Sequence, residues 1–180
     1  MGVREMRQAA VLFVLVLLLA ASAAPRHLSP HDQRQIEEMA QRYLQHRADK
    51  VTNRPQTPGF GVPTTDALAA ELRTDETRLG ARRTMLGSLG FGGYSRAEVN
   101  TSLLRLNVPN GGGVVVHLRE LTHLYFERSR SVTHTSYGMT HVLIFNSTTT
   151  GWVLAVATRP PHSKCGLPPE TQFCGPLSER

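Results

Sequence analysis

The residues best suited to chemistry are five rings in the second half of the chain: His117, His123, Tyr125, Tyr137 and His141. Histidine titrates near neutral pH and binds metals, and a tyrosine hydroxyl can serve as a proton donor. Strand side chains alternate between faces, so His117 and His123, an even step apart, share a face with Arg119, Leu121 and Tyr125. His141 shares a face of its own strand with Thr135, Tyr137, Met139 and Phe145. If these two faces coincide, the five rings line one concavity that could hold a small molecule, an acidic ligand or a metal. Glu120, by the same parity, lies opposite His123 and Tyr125, which breaks the simplest acid–base set, and Glu127 falls at a turn. No H-x-H or H-E-x-x-H spacing supports a metal centre. The five rings therefore stand as ligand-pocket candidates; no catalytic residue is assigned, and no metal or cofactor is expected.

Other motifs narrow the function further. Gly111-Gly112-Gly113 is not followed by Lys-Ser/Thr, so it reads as a turn and not as a phosphate loop. Gly90-Phe91-Gly92-Gly93 lacks the preceding strand of a dinucleotide fingerprint. Arg78, Arg82 and Arg83, and then Arg128 and Arg130, cluster without interleaved aromatic residues, so nucleic acid is not an expected partner. Cys165 and Cys174 are the two cysteines, and in an oxidising compartment they are expected to pair and close a small loop through Pro168-Pro169. His162 lies near Cys165 in sequence, but a Pro-rich tail is a poor frame for a thiolate nucleophile. Asn100-Thr101-Ser102 and Asn146-Ser147-Thr148 are formal glycosylation sequons, the second in an expected hairpin turn.

The elements that must position these residues follow from periodicity. Ser29-Pro30-His31-Asp32 is a helix start: a capping hydroxyl, a first-turn proline and an early carboxylate. Ile36, Met39, Ala40, Tyr43, Leu44, Ala48 and Val51 then recur at three- and four-residue spacing, which predicts a helix ending near Thr52-Asn53. The stretch 54–63, with three prolines and two glycines, is a connecting loop. Thr64 or Thr65 caps a second helical region carrying Leu68, Leu72, Leu79, Met85, Leu86 and Leu89, which Gly80 and Gly87 could divide into two shorter helices. Strands are expected from about Val99 to Val108, Val114 to Phe126, Val132 to Phe145 and Trp152 to Ala157. Helices followed by an antiparallel meander predict an α+β domain, and strands this long predict a twisted, curved sheet with a hollow.

The chain opens with Arg4 and Arg7, an apolar run from Ala9 to Ala20 and the small residues Ala21-Ser22-Ala23-Ala24. That is the layout of an export signal cut after Ala23; the apolar run is too short for a spanning helix. The expected organisation is a signal peptide over 1–23, a flexible start over 24–28, a single α+β domain over 29–159 and a Pro-rich tail over 160–180. The rest of the chain is expected to carry no stable membrane anchor. The net charge of +6 over the full chain comes from arginine, since Lys50 and Lys164 are the only lysines, and scattered charges of that kind name no partner.

From Leu79 to Ala157 the chain resembles the N-terminal, non-catalytic region of bacterial secreted amidase-like proteins. The segment Leu79-Gly80-Ala81-Arg82-Arg83-Thr84-Met85-Leu86-Gly87-Ser88-Leu89-Gly90 is similar to the helix before their sheet. The stretches 117–125 and 134–145 are similar to their central strands, and Gly151-Trp152-Val153-Leu154 to their closing strand. The resemblance implies a nuclear-transport-factor-like cone, also described as cystatin-like, with N-terminal helices in the hollow of about four long strands. No counterpart of the amidase domain follows, so the activity is not implied. Two functions are expected from this reading. One is a secreted, non-enzymatic accessory or binding module for an extracellular protein or envelope component. The alternative is a small-molecule binder, or an isomerase- or hydrolase-like enzyme, that uses the hollow. Expressed with an exporting host, the chain should leave the cell beginning at Ala24, and its mass should rise by about two hydrogens on reduction; N-terminal sequencing and intact mass spectrometry measure both.

Overall fold

The computed structural model describes residues 28–110, 112–128 and 131–158. The expected export signal, residues 24–27, and the expected Cys165–Cys174 pairing lie outside these residues. Helix α1 spans Pro30–Asp49 and helix α2 spans Asp66–Gly87; the strands are β1 (Tyr94–Asn107), β2 (Gly113–Phe126), β3 (His134–Thr148) and β4 (Gly151–Ala157). The four strands form one antiparallel sheet in the order β1-β2-β3-β4. The fold is α+β.

Local chemistry accounts for the helix ends. The Ser29 hydroxyl accepts from the Asp32 N–H at 3.0 Å, and Thr65 plays the same part for Leu68 at 3.4 Å. α2 is one continuous helix through Gly80, not two. Leu68, Leu72, Leu79 and Leu86 keep one face of it buried throughout, and burying Leu79 and Leu86, at about 2 kcal/mol each, outweighs the roughly 1 kcal/mol a mid-helix glycine costs.

On the sheet, the even-numbered residues of β2 from Val114 to Leu124 are buried, as are Leu143 and Phe145 of β3, Ala97 and Val99 of β1 and Leu154 of β4. Ile36, Met39, Ala40, Tyr43, Leu44 and Ala48 of α1 pack into this inner face as one core cluster. The expected hollow is thus filled by α1. β1 begins earlier than its apolar residues suggest, at Tyr94, because the bridge of Tyr94 to Thr52 and the bond from the Asn53 N–H to the Tyr94 carbonyl (2.7 Å) anchor it. β3 extends past Phe145 to Thr148, which places Asn146 in an exposed strand position and not in the turn; Asn100 is likewise an exposed strand residue of β1.

Two long side chains dock α1 on the outer edge of β1. Gln45 donates to the Ala97 carbonyl at 3.1 Å and accepts from the Val99 N–H at 3.1 Å; Gln41 donates to the Val99 carbonyl at 2.6 Å and accepts from the Thr101 hydroxyl at 2.7 Å. These amides stand where a further strand would pair, and so they close the edge. At the far side, the Pro63 carbonyl and the Thr65 N–H bond the N–H and carbonyl of Leu154, closing β4. The loop between the helices is fixed by Lys50, whose buried ammonium bonds Glu76 of α2 and the Thr57 carbonyl and lies 5.5 Å from the centre of the Phe60 ring. Within that loop Gly61 has φ +73°, and a methyl there would run into the His46 ring.

Replacing both glutamines, Q41A/Q45A, should lower stability by about 2 kcal/mol in urea unfolding, since it leaves edge amides and carbonyls unpaired. It should also increase self-association.

Candidate functional site

The β2–β3 register separates the five rings. Leu118 faces His141 and Thr122 faces Tyr137, so even residues of β2 share a face with odd residues of β3. Tyr137 and His141 therefore lie on the inner face, and His117, His123 and Tyr125 on the outer one. The expected single concavity does not form. His117 is also six residues from His123, about 20 Å along an extended strand. Among the described residues, no three His, Cys, Asp or Glu side chains come together as metal ligands would.

The same register brings Glu120 onto the face of His141 and Tyr137, beneath α1. Glu120 is fully buried. One carboxylate oxygen accepts from the Thr122 hydroxyl at 2.5 Å and the Tyr137 hydroxyl at 3.1 Å. The other meets His141 Nε2 at 2.5 Å, with Arg47 of α1 3.9 Å away. Burial pushes the carboxyl upward, but the His141 hydrogen bond, the charges of Arg47 and His141, and the Thr122 hydroxyl together outweigh it, and the group is held below its ordinary value. A carboxylate in that state only accepts, so His141 Nε2 is the donor. Acid–base chemistry needs a group that can reach a substrate proton. Glu120 is packed away from solvent and accepts on both oxygens from within the fold, so it acts as a polar keystone between α1 and the sheet. Arg47 carries the stripe of Leu44 and Ala40 on by one more turn, which is the sequence signal that it faces the sheet.

The outer face holds a second group, at the end where β1 starts and β2 ends. Arg96 pairs with Tyr125 and Glu98 with His123 across the strands. The Arg96 guanidinium lies 3.5 Å from the centre of the Tyr125 ring and is ion-paired with Glu98, and the Tyr125 hydroxyl donates to Glu98 at 2.7 Å. That hydroxyl, and then Arg96, hold the Glu98 carboxyl below its usual range. The His134 ring sits 5.3 Å from both Tyr125 and His123, and His123 Nδ1 is 2.6 Å from the Ser136 hydroxyl. Beside them Leu121 is 42% exposed. Sequence reasoning found His123 and Tyr125 but not Arg96, Glu98, His134 or Ser136, which join them only through strand pairing. Arg96 and Tyr125, fixed to a sheet and partly open to water, are of the residue types that anchor protein interfaces.

Truncating Glu120 should test the keystone. E120A should cost about 3 kcal/mol in urea unfolding, because it removes the carboxylate that His141 meets at a buried site, whereas E120Q should cost less. Because the folded carboxyl titrates below its unfolded value of about 4.3, its contribution is present above that pH and is lost as pH falls through it toward the lower folded value. The stability of E120Q should therefore fall less steeply than wild type across that acid range.

No protein-family model matches the chain, and no curated protein matches it in sequence. Among solved structures it is similar to the intermembrane space region of chloroplast protein ARC6, at 15% identity and a TM-score of 0.36, over 74% of this chain and 97% of that one. Among the described residues, no helix is long and apolar enough to cross a membrane.

Proposed function

We infer that this chain is a secreted, non-enzymatic binding module whose recognition surface is the outer face of the sheet around Arg96, Glu98, His123, Tyr125 and His134. The observation that carries this reading is the contrast between the two faces. The inner face, where an enzyme of this architecture would keep its hollow, is filled by α1, and its polar groups are turned on one another around Glu120. The outer face presents a fixed Arg–Tyr–Glu set with two histidines in water. Strand pairing and mutual hydrogen bonding hold these side chains in place before any partner arrives, which lowers the entropy lost on binding.

The partner is an extracellular protein or an envelope component. The Arg4/Arg7 start, the apolar run and the small-residue cut site supply the export step. The resemblance to the accessory region of secreted amidase-like proteins agrees with a module that binds and does not cleave.

The test is a photo-crosslinking amino acid placed in the exported chain at His123 or Tyr125, and, as control, at Glu71 or Arg73 on the exposed side of α2. The expected outcome is a discrete adduct from the sheet positions that R96A abolishes. Equal labelling from both faces, or from α2 alone, would reject the outer face as the binding surface.

A further inference from the structure

β4 is seven residues long and β3 fifteen, so β4 covers β3 only from Leu143 to Thr148. Thr158 adds one step: its N–H donates to the Val142 carbonyl at 3.0 Å, and its hydroxyl accepts from the Val142 N–H at 3.1 Å. Alternate residues of a strand direct their backbone groups to the same edge, so Thr140, Gly138 and Ser136 present theirs where Val142 does. Among the described residues no backbone bonds them.

This edge differs from the other two, which Gln41 with Gln45 and Pro63 with Thr65 close. It also lacks the usual guards. Edge strands are protected by charged side chains, prolines or bulges. From Ser131 to Thr158 the chain has no Asp, Glu, Lys, Arg or Pro, and the β2–β3 register runs without a shift. The next residues are Arg159-Pro160-Pro161. The register that sets Thr158 against Val142 would bring Pro160 to Thr140, and proline has no N–H to give there, so the sequence does not favour β4 growing along the edge.

The geometry points to a second copy of this chain as the occupant, with the two β3 edges antiparallel about a two-fold axis at Gly138. Such a contact must be self-complementary. Gly138 would meet its counterpart on the axis, and Ser136 would meet Thr140 on each side, making about six backbone hydrogen bonds. Glycine leaves the axis free of side chains, and the small hydroxyl residues flanking it are alike enough to face one another. The uncharged strip also lets two cationic molecules approach without placing like charges opposite each other. Val142, already bonded to Thr158, limits the pairing to residues 135–141. A strand pair of that length buries less than the roughly 1,200 Å² of a stable interface, so the dimer is concentration-dependent, with a Kd on the order of 10 μM.

Sedimentation velocity of the chain from Ala24 to Arg180, over three decades of concentration, tests this. The expected result is a reversible rise to twice the monomer mass. S136K/T140K, which would set ammonium groups against each other across the axis, should raise Kd at least tenfold, as should S136E/T140E. An equal mixture of the two variants should restore the dimer, because lysine then faces glutamate. A wild type that stays monomeric throughout, a dimer that S136K/T140K leaves unchanged, or a mixture that fails to reassociate would each overturn the proposal.

Discussion

Everything in this fold depends on α1 lying across the inner face of the sheet. Its stripe from Ile36 to Ala48 supplies the apolar half of the core, and the sheet supplies Val99, Val116, Leu118 and Leu143. The hydrophobic effect alone would let such a helix slide, because area burial has no direction. Directional bonds at two places fix it. Gln41 and Gln45, one helical turn apart, match the repeat of the β1 edge, and Trp152 Nε1 of β4 donates to Asp32 at the helix start, 3.0 Å away. The helix is thereby tied to both outer strands.

That placement decides what the inner face can do. With α1 seated, Glu120 loses water and must be satisfied from within, and Thr122, Tyr137, His141 and Arg47 supply the partners. A set of residues that would suggest acid–base catalysis in an open cleft is here enclosed, and its hydrogen-bonding capacity is turned inward. Polar residues on the outer face remain in water. Their arrangement is nonetheless specific, because cross-strand pairs set their spacing and Tyr125 lies between Arg96, Glu98 and His134.

The three edges follow the same logic of unequal coverage. Glutamine amides mimic a strand at β1, and a loop segment does so at β4. β3 outruns β4, and among the described residues half of its edge has neither cover nor charge. The fold closes one edge with side-chain amides and another with loop backbone; where neither stands, the backbone of β3 itself is the available contact.

The sequence by itself determined the elements and their order. Ser29-Pro30 and Thr65 are local caps, the α1 stripe is a local repeat, and glycine-rich turns punctuate strands that alternate in burial, so each could be read from neighbours a few residues apart. It also located the individual rings on their own strands correctly. What it left open was which strand face meets which. Parity groups residues only within one strand, whereas the hairpin between Phe126 and His134 sets even residues of β2 beside odd residues of β3. That single offset moved Glu120 to His141 and parted His141 from His123. Register depends on turn geometry and on which face is buried, both of them properties of the assembled sheet. The helix in the hollow, the buried carboxylate and the outer cluster are therefore decisions of the tertiary structure, because each joins residues far apart in the chain.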